Sequence, residues 1–111
     1  MKKNNLFNQL KNKTTIGRKV YYRTKGDMKS SKPEFIGKII DEVSVMDNDP
    51  EYKHFVQKIK RKDGTIQYRI CYYTLDKKKN KIVFGQFASE IPYNSFKKLI
   101  SKVLKKKGFL Q

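Results

Sequence analysis

The most regular alternation of hydrophobic and polar positions lies on the two sides of Asp63-Gly64, in residues 55–74. An Asp-Gly pair between two such stretches favours a β-hairpin with a two-residue type I′ turn. That turn pairs Lys62 with Thr65 and therefore places Phe55 opposite Tyr72. In this register the core face of the second strand consists of Ile66, Tyr68, Ile70 and Tyr72, and its outer face includes Arg69 and Tyr73.

A third strand is predicted in residues 81–89, which read KIVFGQFAS after a four-residue loop at 77–80. Its register pairs Tyr72 with Gly85, an arrangement in which an aromatic ring covers a glycine of the neighbouring strand. Because side chains alternate between the faces of a sheet, a slip of one residue would exchange the two faces. The outer face predicted for the three strands consists of His54, Lys58, Lys60, Arg69, Tyr73, Phe84 and Gln86, with Lys58 directly opposite Arg69.

An amphipathic helix is predicted over residues 93–108, after Pro92. Asn94 or Ser95 can cap its start, and Gly108 suits the position after its end. Apolar residues recur at helical spacing and form one stripe, which is expected to cover the core of the sheet. That stripe consists of Phe96, Leu99, Ile100, Val103 and Leu104, and a second stripe on the far side consists of Lys98, Lys102 and Lys105.

The first part of the chain has a less regular pattern. Residues 16–24 favour a strand, residues 26–33 (GDMKSSKP) a loop, and residues 1–14 either a helical turn or a mobile basic arm. Residues 34–46 fit a helix by the spacing of their apolar residues, and a strand by the glycine in their middle and their β-branched content. We favour the strand.

Together these elements predict a single α+β domain over residues 1–111, with a small, mostly antiparallel five-stranded sheet and a C-terminal amphipathic helix. Two of the strands contain a glycine-led stretch, Gly17-Arg18-Lys19-Val20 and Gly37-Lys38-Ile39-Ile40. In this respect they resemble the opening strands of small SH3-like barrels. That resemblance implies a partly closed barrel as the alternative to an open sheet.

Composition places the chain among globular proteins, but with an extreme positive charge. Of its 111 residues 37% are hydrophobic, seven are Phe and seven are Tyr, and the net charge is +17. Charge of this size attracts polyanions such as nucleic acids. The chain has a lone cysteine, no apolar run behind its basic N-terminus, and no stretch of ~18 apolar residues. These features predict a cytoplasmic protein with no membrane partner.

The charge is also divided along the chain. Residues 1–32 carry +9, residues 33–51 carry −5, residues 52–92 carry +7 and residues 93–111 carry +6. A protein that is merely rich in lysine need not segregate its charge, so this division favours a dedicated binding surface. The six carboxylates of residues 34–51 are expected to lie away from that surface, because they would repel phosphates.

These features predict a non-catalytic nucleic-acid-binding protein, DNA or RNA, in which cations on the outer sheet face neutralise phosphates and aromatic rings stack on bases. A bound phosphate would also relieve the repulsion between Lys58 and Arg69. The alternative for this face is that the N-terminal region or the C-terminal helix covers its rings. The candidate binding residues are Arg18, Arg23, Lys58, Lys60, Arg69, Tyr73, Phe84, Gln86, Lys98, Lys102 and Lys105.

A second functional hypothesis is a protein-interaction module that docks on an acidic surface, such as a small phage or mobile-element factor or a ribosome-associated protein. Catalysis is not expected, since His54 is placed on the sheet surface and Cys71 is a small residue that fills the sheet. Neither a cofactor nor a metal is expected. The minor alternative is a nuclease whose Mg²⁺ is held by Asp41, Glu42, Asp47 and Asp49.

Overall fold

A computed structural model describes residues 2–22, 33–47, 51–85 and 90–110. It shows an α+β fold in which a five-stranded antiparallel sheet curls into a half-barrel, with a short N-terminal helix and a C-terminal helix packed on it. The predicted fold class is confirmed. The elements are α1 (Lys2–Lys11), β1 (Lys19–Tyr22), β2 (Glu34–Met46), β3 (Tyr52–Arg61), β4 (Ile66–Asp76), β5 (Lys81–Gly85) and α2 (Tyr93–Lys105).

The strands follow one another across the sheet in chain order, each antiparallel to the next. Residues 34–46 form the long strand β2, the assignment favoured by their β-branched content. β1 lies within the predicted span 16–24 but has only four residues. It therefore pairs with the beginning of β2 alone, up to Lys38. Residues 26–32 of the predicted loop lie outside the described residues.

Each face of the sheet is covered in part, one by α1 over β3 to β5 (the α1 face) and the other by α2 over β2 and β3 (the α2 face). The central strand β3 is consequently buried at every position from Lys53 to Ile59. The α1 face holds a cluster of Leu10, Phe55, Cys71 and Tyr73, the α2 face holds a cluster of Val43, Val45, Val56, Leu99 and Phe109, and a third cluster of Val20, Ile39 and Ile59 joins β1 to the centre of the sheet.

The β3–β4 hairpin has a three-residue loop in place of the predicted two-residue turn. The N–H of Arg61 donates to the carbonyl of Thr65 at 2.8 Å, and the N–H of Gly64 donates to the carbonyl of Arg61 at 2.9 Å. Gly64 has a φ of 89°, the left-handed conformation that follows a type I turn in three-residue hairpin loops. The Asp63 carboxylate accepts hydrogen bonds from the N–H and the hydroxyl of Thr65 at 3.0 and 2.6 Å, which hold this loop shape.

The additional loop residue moves every pair of the hairpin by one position. Phe55 pairs with Cys71, and Lys58 pairs with Tyr68, so the predicted pairing of Lys58 with Arg69 is wrong. Because side chains alternate, the shift turns β4 over relative to the prediction. Cys71 and Tyr73 are buried beneath α1, whereas Ile66, Tyr68 and Ile70 are exposed, Ile70 to 56%.

The β4–β5 hairpin has the predicted register. Its loop spans residues 77–80, Thr74 pairs with Val83, and Tyr72 pairs with Gly85. The ring of Tyr72 lies so close over Gly85 that a Cβ at this position would overlap it. The glycine is therefore required by a side chain of the neighbouring strand. The predicted continuation of this pairing, from residue 70 to residue 87, reaches outside the described residues.

α2 is shorter than predicted and is capped differently. It ends at Lys105 instead of residue 108, although Gly108 shortly after it has a positive φ of 78°. Pro92 occupies the N-cap position, and neither Asn94 nor Ser95 provides a side-chain cap. Neither helix in the described part of the chain is long and apolar enough to cross a membrane.

The side of α2 that packs on the sheet is centred on Ser95 and Leu99, which are its buried residues. Val103 packs against the same cluster and is half-buried. Phe96 and Leu104, which were predicted to cover the core, are exposed. α2 is thus rotated so that only part of the predicted apolar stripe meets the sheet.

α1 is tied to the sheet by a buried lysine near its C-terminal end, where a cation also suits the helix dipole. The amine of Lys53 donates to the carbonyls of Lys11 and Lys13 at 2.7 and 2.8 Å. Burial lowers the pKa of Lys53 below its ordinary value. After the helix, the N–H and the hydroxyl of Thr15 both donate to the carboxylate of Glu42, at 2.8 and 2.5 Å. These bonds hold the segment that follows α1 against β2.

Candidate nucleic-acid interface

The predicted binding face is not one surface, because its residues divide between the two faces of the sheet. Lys58 lies on the α2 face, is 7% exposed, and donates from its amine to the carbonyl of Gly108 at 2.8 Å. Arg69 lies on the α1 face, where its Nε donates to Oε1 of Gln57 at 2.8 Å. Since the two cations point to opposite sides, they cannot hold the same phosphate.

Tyr73 is buried, so the expectation that its ring is exposed for stacking is wrong. It is 7% exposed and meets the ring of Phe55 edge-on at a centroid distance of 5.4 Å. The amine of Lys13 lies over the Tyr73 ring, 4.7 Å from its centroid. Burial, and after it the neighbouring Cys71, raises the pKa of the Tyr73 hydroxyl above its ordinary value. The N-terminal region covers this ring, which was the alternative for the predicted face.

Phe84 keeps part of its ring at the surface of the α1 face and is 40% exposed. It contacts the ring of Tyr73 at 5.2 Å, and the guanidinium of Arg69 lies over it at 5.0 Å. Protein groups therefore already occupy much of the surface on which a base would stack.

Of the remaining predicted residues of the sheet and of the N-terminal segment, one lies near Tyr73 on the α1 face and one lies on the opposite face. Arg18 and Lys60 are exposed, Arg18 beside the hydroxyl of Tyr73 and Lys60 on the α2 face. Arg23 and Gln86 lie outside the described residues.

The structure does bring the three lysines of the predicted helix stripe together. Lys98, Lys102 and Lys105 lie along a cleft of about 1210 Å³ between α2 and the second half of β2, which we call the basic cleft. Positions i, i+4 and i+7 share one side of a helix and span roughly 10 Å. The other lining residues are Ile16, Glu42, Val43, Ser44, Val45, Met46, Asn94, Lys97, Ser101 and Lys106.

Most of the positive charge in the basic cleft is not neutralised by carboxylates of the described residues. The amine of Lys102 donates to the carbonyl of Ser44 at 2.7 Å, a bond that leaves its charge uncompensated. Within the part of the chain that the structure describes, no hydrogen bond or ion pair engages the side chains of Lys97, Lys98 and Lys105. Four cations of the cleft thus remain available to an anion.

Lys106 differs from the other lysines of the basic cleft because it has a carboxylate partner. Its amine bonds Oδ1 of Asp41 at 2.6 Å and the carbonyl of Glu42 at 2.9 Å. Burial alone would raise the pKa of Asp41, but the hydrogen bond from Lys106 lowers this pKa below its ordinary value. Two of the six carboxylates that were expected to lie away from the binding surface, Asp41 and Glu42, therefore lie near the predicted binding residues Lys98, Lys102 and Lys105.

The residues considered for catalysis are separated by the sheet. His54 is buried on the α2 face, not exposed as predicted, with its Nε2 3.2 Å from Oδ2 of Asp47. Cys71, which was predicted opposite Val56 as a small residue that fills the sheet, instead pairs with Phe55 and is buried on the α1 face, and burial raises the pKa of its thiol to about 11. Among the described residues, no three His, Cys, Asp or Glu side chains are grouped so that they could hold a metal ion.

Sequence reasoning missed Lys97 and Lys106, and also the main chain of β2 that borders the basic cleft. The lysine run is visible in the sequence, but the side of α2 that meets β2 depends on how the helix packs. One signal for the strand edge was available. A predicted strand at 34–46 is longer than its neighbour at 16–24, so part of its edge must lack a partner there.

Comparison of the chain with protein-family models, with curated proteins and with solved structures finds no match in any of the three. The geometry and charge of the basic cleft are therefore the basis on which a function is proposed.

Proposed function

We propose that this protein binds nucleic acid through the basic cleft, by neutralising phosphates and not by stacking bases on the sheet. The observation that carries the proposal is the stripe of Lys98, Lys102 and Lys105, whose amines meet no carboxylate among the described residues. The stripe spans roughly 10 Å, and one strand of duplex DNA carries a phosphate about every 3.4 Å. The three amines can therefore reach several phosphates of one backbone.

Little sequence specificity is expected of this site. No aromatic ring lines the cleft in the described part of the chain. A lysine amine is a point charge, without the planar fork by which arginine reads guanine. Contacts to phosphate position a protein on nucleic acid but do not read its bases. The site is suited to binding many sequences with similar affinity.

The proposal is tested by titrating labelled single- and double-stranded oligonucleotides at several salt concentrations. Each phosphate contact should contribute roughly 0.7 to 0.9 to the slope of log affinity against log salt. The variant with Lys98→Gln, Lys102→Gln and Lys105→Gln should bind more weakly and lose roughly two to three of that slope. An affinity that does not change with salt would contradict the electrostatic mechanism.

A matched control removes the same charge far from the cleft. Lys78→Gln, Lys79→Gln and Lys81→Gln change three exposed lysines around the β4–β5 loop. We expect this variant to keep most of the affinity and nearly all of the salt slope. If the two triple variants weaken binding equally, net charge and not the basic cleft determines binding, and the proposed site is wrong.

A further inference from the structure

The second half of β2 has an open edge in the described part of the chain. β1 pairs with β2 only as far as Lys38. Two further main-chain bonds, from Gly17 to Ile39 and from Ile39 to Arg18, extend this contact to Ile39. β2 continues to Met46, so its edge beyond Ile39 has no partner strand among the described residues.

The main-chain groups that face this edge can be identified from the pairing with β3. The N–H of Asp47 donates to the carbonyl of Tyr52 at 3.0 Å, so Asp47 points its main-chain groups toward β3. This direction alternates along an antiparallel strand. Val45 therefore points its main-chain groups toward β3, as Asp47 does, whereas Ser44 and Met46 point theirs away from β3. The hydrogen bond from the amine of Lys102 to the carbonyl of Ser44 agrees with this, since it shows that this carbonyl points away from β3. The N–H and carbonyl groups of Ser44 and Met46 thus face the basic cleft.

Lysine side chains occupy this edge without closing it. Lys102 bonds the carbonyl of Ser44 and Lys106 bonds the carbonyl of Glu42, but no described group accepts from the N–H of Ser44 or Met46. Lysines are a common protection of strand edges against unwanted pairing. Here they are exposed side chains on flexible stems, and a carbonyl that loses such a bond can accept an N–H from an incoming strand instead.

We propose that the open edge of β2 accepts an extended acidic peptide segment of a partner protein as an additional strand. The partner's main chain would exchange hydrogen bonds with Ser44 and Met46, over a length of roughly 13 Å at about 3.3 Å per residue for residues 42–46. Its side chains on the α2 face would point to Lys98, Lys102 and Lys105. The charge of the cleft favours an acidic peptide. Carboxylates at alternate positions of the peptide would meet those lysines of the cleft that pair with no carboxylate among the described residues.

This inference does not depend on the proposed binding of nucleic acid, although the two ligands would share lysines. Phosphates need only the cations, whereas a strand also needs the N–H of Ser44. A substitution that removes this N–H should therefore affect the binding of the peptide and not the binding of nucleic acid. The peptide and an oligonucleotide should compete for the protein, because both require Lys98, Lys102 and Lys105.

The experiment uses a short fluorescent peptide in which Glu alternates with Thr, and the full-length protein. Ser44→Pro removes the outward N–H, a change that edge strands tolerate when that N–H is not part of the ladder. Ser44→Ala is the matched control, because it removes the hydroxyl and keeps the N–H. We expect Ser44→Pro to weaken peptide binding by roughly tenfold and Ser44→Ala to leave it unchanged. Neither variant should change oligonucleotide binding.

A second arm leaves the protein unchanged, so that it does not depend on the folding of the proline variant. The same peptide carrying N-methyl groups at alternate residues keeps its charge but loses the donors that pair with β2. It should bind wild-type protein much more weakly than the unmethylated peptide, and only the unmethylated peptide should slow hydrogen exchange at the amides of Ser44 and Met46. Equal binding of the two peptides, or no binding of either, would overturn the proposal and leave edge protection as the role of these lysines.

Discussion

Cys71 of β4 lies directly opposite Phe55 of β3, and both side chains are buried beneath α1. This pairing sets the register of the central hairpin and, with it, the face on which every β4 side chain lies. It places Tyr73 in the core and Ile70 at the surface. The aromatic residues of β4 therefore differ in their contribution to stability in a way that mutation can measure.

Tyr73→Ala should behave as a core deletion and lower the free energy of unfolding by about 3 to 5 kcal/mol. Tyr72 is half-buried, with its ring over Gly85 and near Tyr52 at 5.9 Å. Tyr72→Ala should therefore cost less, about 1 to 2 kcal/mol. Urea unfolding of the two variants provides the comparison. A larger loss for Tyr72→Ala would contradict the observed register.

Gly37→Ala should destabilise the protein more than Gly85→Ala. A Cβ on Gly37 would overlap the main chain of Lys60 and Arg61, whereas a Cβ on Gly85 would overlap only the ring of Tyr72. A ring can rotate away, but paired main chains cannot separate without loss of the ladder. Overpacking typically costs ~1 to 3 kcal/mol of stability. We expect the loss for Gly85→Ala near the lower end of this range, and the loss for Gly37→Ala at or above its upper end. Melting temperatures of the two alanine variants in the reverse order would show that this reading of the contacts is wrong.

Cys71 should be unreactive in the folded protein. It is 1% exposed, and burial raises the pKa of its thiol from 9.0 to about 11, so the reactive thiolate is disfavoured. A thiol-specific reagent at mildly alkaline pH should modify it only as fast as the protein unfolds, and at once in denaturant. Rapid modification without denaturant would contradict the burial of Cys71.

The same raised pKa predicts the direction in which pH affects stability. Between pH 9.0 and about 11 the folded state retains the thiol proton that the unfolded state loses. The contribution of Cys71 to stability is therefore complete below pH 9.0 and declines as the pH rises through that window. In urea unfolding measured from pH 8 upward, Cys71→Ala should show a shallower decline than wild type. If stability declined identically with pH in the variant and in wild type, groups other than Cys71 would be responsible for the decline.

Lys53→Met should loosen the attachment of α1 to the sheet. The substitution keeps the apolar stem but removes the amine that bonds the carbonyls of Lys11 and Lys13. Loss of these charge-assisted bonds should cost about 1 to 3 kcal/mol, offset in part because a buried charge is also removed. Hydrogen exchange should accelerate in α1 more than in β3. Unchanged exchange in α1 would mean that its apolar contacts alone hold it.

The sequence by itself predicted the amphipathic α2, the register of the β4–β5 hairpin and the strands, although for residues 34–46 it left a helix as the alternative. Each follows from local chemistry: the β-branched content of residues 34–46, the period of α2, and a four-residue loop that sets Tyr72 over Gly85. The stripe of Lys98, Lys102 and Lys105 was likewise visible from helical spacing alone. Whether it binds an anion is the proposal that the titrations address.

Only the tertiary structure decided the register of the β3–β4 hairpin and the place of the lysine stripe. Asp63-Gly64 suits both a two-residue loop and a three-residue loop with a left-handed glycine. The longer loop is the one that places Phe55, Cys71 and Tyr73 together beneath α1. The basic cleft depends in the same way on α2 lying beside the unpaired part of β2. Pairing and packing between distant segments set both outcomes, because burial of apolar area contributes more free energy than the preference between two turns.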